Sequence, residues 1–156
     1  MTVATRLRNY LEREGVRYDV VAHPRTFAAS RSAQAAHVPG EQLAKSVVVH
    51  HEMGYVICVL PSTHRVELGT LQSVLNKRLG LATETEVASL FDDCDIGAVP
   101  PLGAAYGVPV VLDESLDAAK ELYFEGGDHA SLVHVASDAF QALTRGVQRA
   151  RFSHRA

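Results

Sequence analysis

No tryptophan occurs in the 156 residues, and only two cysteines and two methionines do. Cys58 and Cys94 cannot staple a small secreted scaffold, and no CxxC or Cys/His pair has the spacing of a structural zinc site. No stretch approaches the ~20 apolar residues of a membrane span. Met1 to Arg13 alternates charged with apolar residues where a signal peptide has an unbroken apolar run. The expected compartment is a reducing cytoplasm, with no membrane partner. An excess of basic residues is also missing. Lys and Arg number 15 against 18 Asp and Glu, for a net charge of −3 and a pI of about 6.2. A general polyanion binder is expected to be basic, so any nucleic-acid contact must be local. There is no GxSxG, P-loop or GxGxxG. His51-Glu52-Met53-Gly54-Tyr55 is not HExxH, and neighbouring His50 and His51 would point to opposite faces of a strand. Neither a metal site nor a cofactor is expected.

Hydrophobic residues make up 47% and charged residues 21%, which argues against disorder and allows a core. The length suits one domain over 1–156. Val3, Leu7, Tyr10 and Leu11 fall at helical spacing, with Thr2 as a cap and Gly15 past the end. A short strand is expected over 18–22, stopped by His23-Pro24, then a brief helix over 31–37 capped by Ser30. Ser46-Val47-Val48-Val49 and Tyr55 to Leu60, joined by a polar turn with Gly54, predict a β-hairpin. Helices are expected over 70–79 and, from the capping-box pattern Thr83-Glu84-Thr85-Glu86, to Leu90. Strands are expected over 108–112, 122–124 and 132–135, and a last helix from a Ser137 cap to about Arg145. Residues 146–156 read as a flexible basic tail. The predicted class is α+β, with a mixed, curved sheet.

Three places could carry chemistry. Lys45, one of three lysines, stands at the mouth of the Val47 strand, where its ammonium could meet a phosphate; a solvated lysine at a strand end fits as well. The Gly97-Ala98-Val99-Pro100-Pro101-Leu102-Gly103 stretch joins two rigid prolines to flanking glycines. Its peptide N–H groups could serve as an oxyanion site, or it could be a structural turn. Gly126-Gly127-Asp128-His129 could set an imidazole beside a ligand, or be a hairpin turn with a surface histidine. Cys94 among Asp92, Asp93 and Asp95 is a poor thiolate, and Cys58 reads as core.

Taken together, His23-Pro24, Leu43-Ala44-Lys45-Ser46, Leu60-Pro61-Ser62 with His64, Gly97-Ala98-Val99-Pro100-Pro101 and Gly127-Asp128-His129 make the chain resemble the YbaK/EbsC family, from Leu7 to about Leu143. These are free-standing relatives of the editing domain of bacterial prolyl-tRNA synthetase. The resemblance implies a barrel-like mixed sheet flanked by helices. It implies a trans-editing deacylase that hydrolyses the ester of a mischarged tRNA, with no metal and no covalent intermediate. The 3′ acceptor end of aminoacyl-tRNA is then the expected partner, and a synthetase is a second candidate. Lys45 matches the family's functional lysine, Gly97 the glycine lying against the aminoacyl group, and Gly127 and His129 the third motif. Asp128 departs from a position that is often small or hydroxylated. On this reading Lys45, Gly97, Ala98 and His129 are catalytic. His23, Phe27, Val47, Leu60, Pro100, Pro101, Leu102, Gly127 and Asp128 bind substrate. Two other readings stand: a non-catalytic module for an amino acid, an aminoacyl adenylate or a tRNA 3′ end, and an unrelated hydrolase with His129 as base.

Overall fold

The computed structural model describes residues 3–26 and 28–156, with the side chains of Ala29 and Ser30 left aside. The expectations for Thr2 and Phe27 lie outside the described residues; the expected Ser30 cap is not one, because the helix starts at Ala29 with Ala28 at the cap position. Helix α1 (Thr5–Arg13) buries Leu7, Tyr10 and Leu11 on one face, and Gly15 leaves it at φ 67. Strand β1 (Asp19–Ala22) and helix α2 (Ala29–Ala35) follow. β2 (Leu43–His51) and β3 (Gly54–Pro61) form the expected hairpin, in register from Ala44 opposite Pro61 to His51 opposite Gly54.

After β4 (His64–Val66), helix α3 spans Leu68–Leu75. It stops short of Leu79 because Asn76 turns left-handed at φ 53, as asparagine tolerates. β5 (Gly80–Leu81) precedes helix α4 (Glu84–Leu90), which opens on the reciprocal Thr83–Glu86 capping box. β6 (Val110–Asp113), β7 (Glu121–Glu125), β8 (Ser131–Ala136) and helix α5 (Ser137–Leu143) come next. Ser137 is the first helical residue; the cap position is Ala136, without a side-chain bond.

The expected frayed tail is instead ordered. β9 (Gln148–Ala150) pairs parallel with β6, and β10 (Ser153–Arg155) pairs antiparallel with β4. Between them Phe152 is fully buried and donates its amide to Asp113 Oδ1 at 2.9 Å. One apolar anchor among the arginines decides the matter. Arg149 pairs with Asp117, and Arg155 with Glu41 at 2.5 Å.

The main sheet is mixed, in the order β1-β8-β7-β2-β3-β6-β9, with β5 added to the end of β2. Its end strands β1 and β9 do not pair with each other, so the barrel is not closed. One face packs with α1, α5 and the 97–108 segment around Phe91, Leu102, Leu112 and Phe124. The other packs with α3 and Phe152 around Val49, Cys58 and Leu60. Among the described residues no helix is long and apolar enough to cross a membrane.

Candidate active site

The site begins with a break in sheet pairing. On the side away from β3, β2 pairs with β7 only at Leu43 and Ala44, and with β5 only at Val49 and His50. Ala82 extends the second contact by donating its amide to the Val48 carbonyl at 3.0 Å. Among the described residues, 45–47 have no strand partner there. The alternation that turns the Val48 carbonyl to this edge turns the Ser46 backbone the same way. The Ser46 hydroxyl is buried and has no partner among the described residues.

A cleft of about 260 Å³ opens at this break, lined by Ser46, Val47 and Val48 from β2 and by Ile96, Gly97 and Val99 from the diproline loop. It brings two sequence-predicted residues together, Val47 and Gly97. Lys45 shares the strand face of Val47, two residues away, and is half-buried. A larger groove of about 510 Å³ runs past Gln42, His64 and Lys120. It contains no residue of the 97–103 loop, so the smaller cleft, which Gly97 and Val99 line, is the candidate; Lys45 lines neither.

The loop is built from its own backbone. Gly97 takes φ 84, a conformation that disfavours any side chain, and is exposed. The Ala98 amide, expected to be an oxyanion donor, instead donates to the Asp95 carbonyl at 3.1 Å, and Ala98 is fully buried. Gly97 lines the cleft, and among the described residues its amide donates no backbone hydrogen bond. Pro100, Pro101 and Leu102 are buried and support the loop from behind. Leu60 is fully buried with the α3-side core and forms no part of the cleft wall.

The third motif lies beneath the loop. Gly127, at φ 113, packs so closely that a Cβ would come within 2.9 Å of Ala4 Cβ and 3.3 Å of Cys94 Sγ. Its carbonyl accepts the Asp95 amide at 2.7 Å. Asp128 closes its own turn, accepting the Ala130 amide at 2.9 Å and the Ser131 hydroxyl at 3.2 Å. Its charge is therefore directed into the turn. His129 is 1% exposed. Its Nε2 donates to the Ile96 carbonyl at 2.5 Å; a carbonyl can only accept, so the proton is on Nε2. Neither Gly127, Asp128 nor His129 lines the cleft. His23 is also buried: Nδ1 donates to the Pro24 carbonyl at 2.7 Å, and Nε2 has no partner among the described residues.

Sequence reasoning missed the group beside these histidines. Glu125, the last residue of β7, is 3% exposed. Its Oε2 accepts from Ser32 at 2.9 Å, and the Ser32 hydroxyl also meets Thr26 Oγ1 at 2.6 Å. The same Oε2 lies 3.9 Å from His129 Nδ1. Burial pushes the Glu125 carboxyl above its usual range, while Ser32, His129 and His23 pull the other way. Only the position of Glu125 two residues before Gly127 could have flagged it.

Burial, and then the charge of Arg65, hold the Lys45 ammonium below the usual lysine range. Among the described residues no carboxylate pairs with it. Arg25 is bound to Asp95 at 2.8 Å. The Cys94 thiol is pushed up to about 12, first by burial, which removes it as a nucleophile.

Comparison with known proteins adds independent findings. The family model of the aminoacyl-tRNA editing domain matches residues 23–143. A crystal structure described as "a putative trans-editing enzyme for prolyl tRNA synthetase" is 32% identical, with a TM-score of 0.85 over 97% of this chain and 96% of that one. A structure from computational epitope grafting onto scaffold proteins is 31% identical, with a TM-score of 0.85 over 97% of both chains. The hypothetical protein APE2540 shares the fold at 21% identity, with a TM-score of 0.84 over 96% of this chain and 99% of that one. No curated protein sequence matches the chain.

Proposed function

Because the chain belongs to the aminoacyl-tRNA editing domain family and is YbaK-like, we propose that it is a trans-editing deacylase that hydrolyses the 3′ ester of mischarged tRNA in the cytoplasm. The observation that supports this reading is the cleft that Gly97 lines together with the unpaired edge of β2.

The chemistry asks little of the protein. An aminoacyl ester is already activated, and a ribose hydroxyl lies beside it. Lys45 holds a phosphate or ribose oxygen of the terminal adenosine. A half-buried ammonium without a carboxylate partner gains from such an anion, in a charge-assisted contact of about 1.5–3 kcal/mol. The Gly97 N–H points at the ester carbonyl and stabilises the oxyanion that forms when water attacks. A donor of this kind is worth roughly 2.7–4 kcal/mol in the transition state. Collapse of the tetrahedral intermediate breaks the carbon–oxygen bond to the ribose. The neighbouring hydroxyl relays the proton to the leaving oxygen, and the products are the free amino acid and uncharged tRNA. Val47, Val99 and Ile96 form an apolar wall for the amino-acid side chain.

A second sieve of this kind is needed because one methylene separates amino acids by only about 1–3 kcal/mol in a binding pocket. Asp128 lends no support to the binding-only reading, because its carboxylate is engaged by its own turn. The test is a panel of mischarged tRNAs with protein at catalytic concentration. Release of amino acid is expected for at least one, and loss of that release in Lys45→Ala. Lys45→Arg is expected to fail as well, since a planar fork does not replace a compact ammonium. Undiminished turnover in Lys45→Ala would remove the lysine from the mechanism.

A further inference from the structure

We infer that His129 serves the reaction as a positioning residue, gripping the Ile96 carbonyl so that the Ile96–Gly97 peptide presents its N–H to the cleft in a fixed and polarised state. The kinetic consequence rests on the deacylase reading above; the coupling of His129 to the Gly97 amide does not.

The Ile96 carbonyl and the Gly97 N–H belong to one peptide unit. No cis peptide occurs among the described residues, so the two groups point to opposite sides of one plane. Fixing the carbonyl therefore fixes the direction of the N–H. The constraint is needed at this position. Gly97 has no side chain to restrict it, takes φ 84 and is exposed, so the Ala98–Asp95 turn bond alone leaves this peptide less fixed. A donor on the carbonyl also polarises the amide, and this strengthens the N–H as a donor in turn.

His129 is itself held more firmly than a turn histidine requires. Its backbone sits at φ 58, an uncommon conformation for a residue other than glycine, which persists only when its surroundings enforce it. Its carbonyl accepts the Thr26 amide at 3.0 Å. Glu125 Oε2 lies 3.9 Å from the far ring nitrogen and is itself anchored by Ser32. The buried His129 ring, packed beside the Ser32-anchored Glu125, thus ends on the carbonyl of the Gly97 peptide unit. A general base would instead need an imidazole nitrogen at the cleft. The ring is buried beneath the loop, and Nε2 is already donating.

The experiment compares His129→Asn with His129→Gln in the full chain. Asparagine suits a left-handed backbone, but its amide nitrogen falls about where Nδ1 was. Glutamine fits that backbone less well but reaches the position of Nε2. A purely structural role therefore favours asparagine, and a positioning role favours glutamine. The readouts are kcat and KM on the mischarged tRNA that the unaltered protein hydrolyses, and the Gly97 amide resonance without ligand. His129→Asn is expected to lose about 10-fold or more in kcat, less than the 10²–10³ of outright donor loss. Its KM should stay nearly unchanged, and its Gly97 amide proton should move upfield. His129→Gln is expected to restore most of both. An unmoved Gly97 resonance in His129→Asn overturns the proposal, as does an activity order with asparagine above glutamine. If the unaltered protein hydrolyses no aminoacyl-tRNA, the deacylase reading fails, and the resonance alone decides the coupling.

Discussion

Lys45 carries a charge where the fold gains nothing from it. Burial first, and the nearby Arg65 second, lower its pKa in the folded chain below the unfolded value. The charged form therefore costs stability at neutral pH, and that cost disappears as pH rises through the ordinary lysine range. Lys45→Met is expected to raise the urea midpoint at pH 7 while abolishing deacylation, with the stability gain shrinking toward pH 10.5. Midpoints at the two pH values, beside an activity assay, check this; a destabilised Lys45→Met at pH 7 would contradict it. Glu125 behaves in the opposite sense. Its folded pKa is raised, chiefly by burial, so its penalty is absent below the usual carboxylate range, grows as pH rises from there to the folded value, and is constant above it. Glu125→Gln keeps an acceptor for Ser32 and should be more stable than the unaltered chain at pH 7 but not at pH 4. Thermal melts at both values would decide it.

Local signals were legible in the sequence where they close over a few residues. The Thr83–Glu86 box and the β2–β3 hairpin stand where the residues place them. Pairings between distant segments were not legible. β9 and β10 are three residues each, too short for alternation to show, and Phe152 among arginines gives no period. The register of Phe152 is set by Asp113, 39 residues earlier. Phe152→Ala should therefore destabilise the whole fold by about 3–5 kcal/mol, measured by chemical denaturation. A frayed segment would show almost no effect. The candidate site divides along the same line. Val47 and Gly97 could be placed from motifs, whereas the use of the Ala98 amide within its own loop, and of His129 as a strut, depends on contacts that spacing does not encode.

At the scale of the molecule, acidic residues outnumber basic ones, and several arginines are already engaged. Arg25, Arg149 and Arg155 each bind a carboxylate. Among the described residues, no lysine or arginine lines the cleft itself, so few phosphates are met there. Binding of tRNA should be weak, with a log–log salt slope no steeper than about −3, against roughly −0.9 per phosphate neutralised on a duplex. Titrations between 50 and 200 mM salt would show it, and a much steeper slope would mean a wider phosphate footprint than the cleft provides.

The stretch of β2 left without a neighbour has a cost outside catalysis. Exposed strand edges are templates on which a second polypeptide can zip, and proteins guard them with short length and inward-facing lysines. Here the open edge spans only residues 45–47, and one of the three is a lysine. The same amine would thus discourage intermolecular β-pairing, so a hydrophobic replacement chosen to increase stability would do so at the expense of colloidal behaviour.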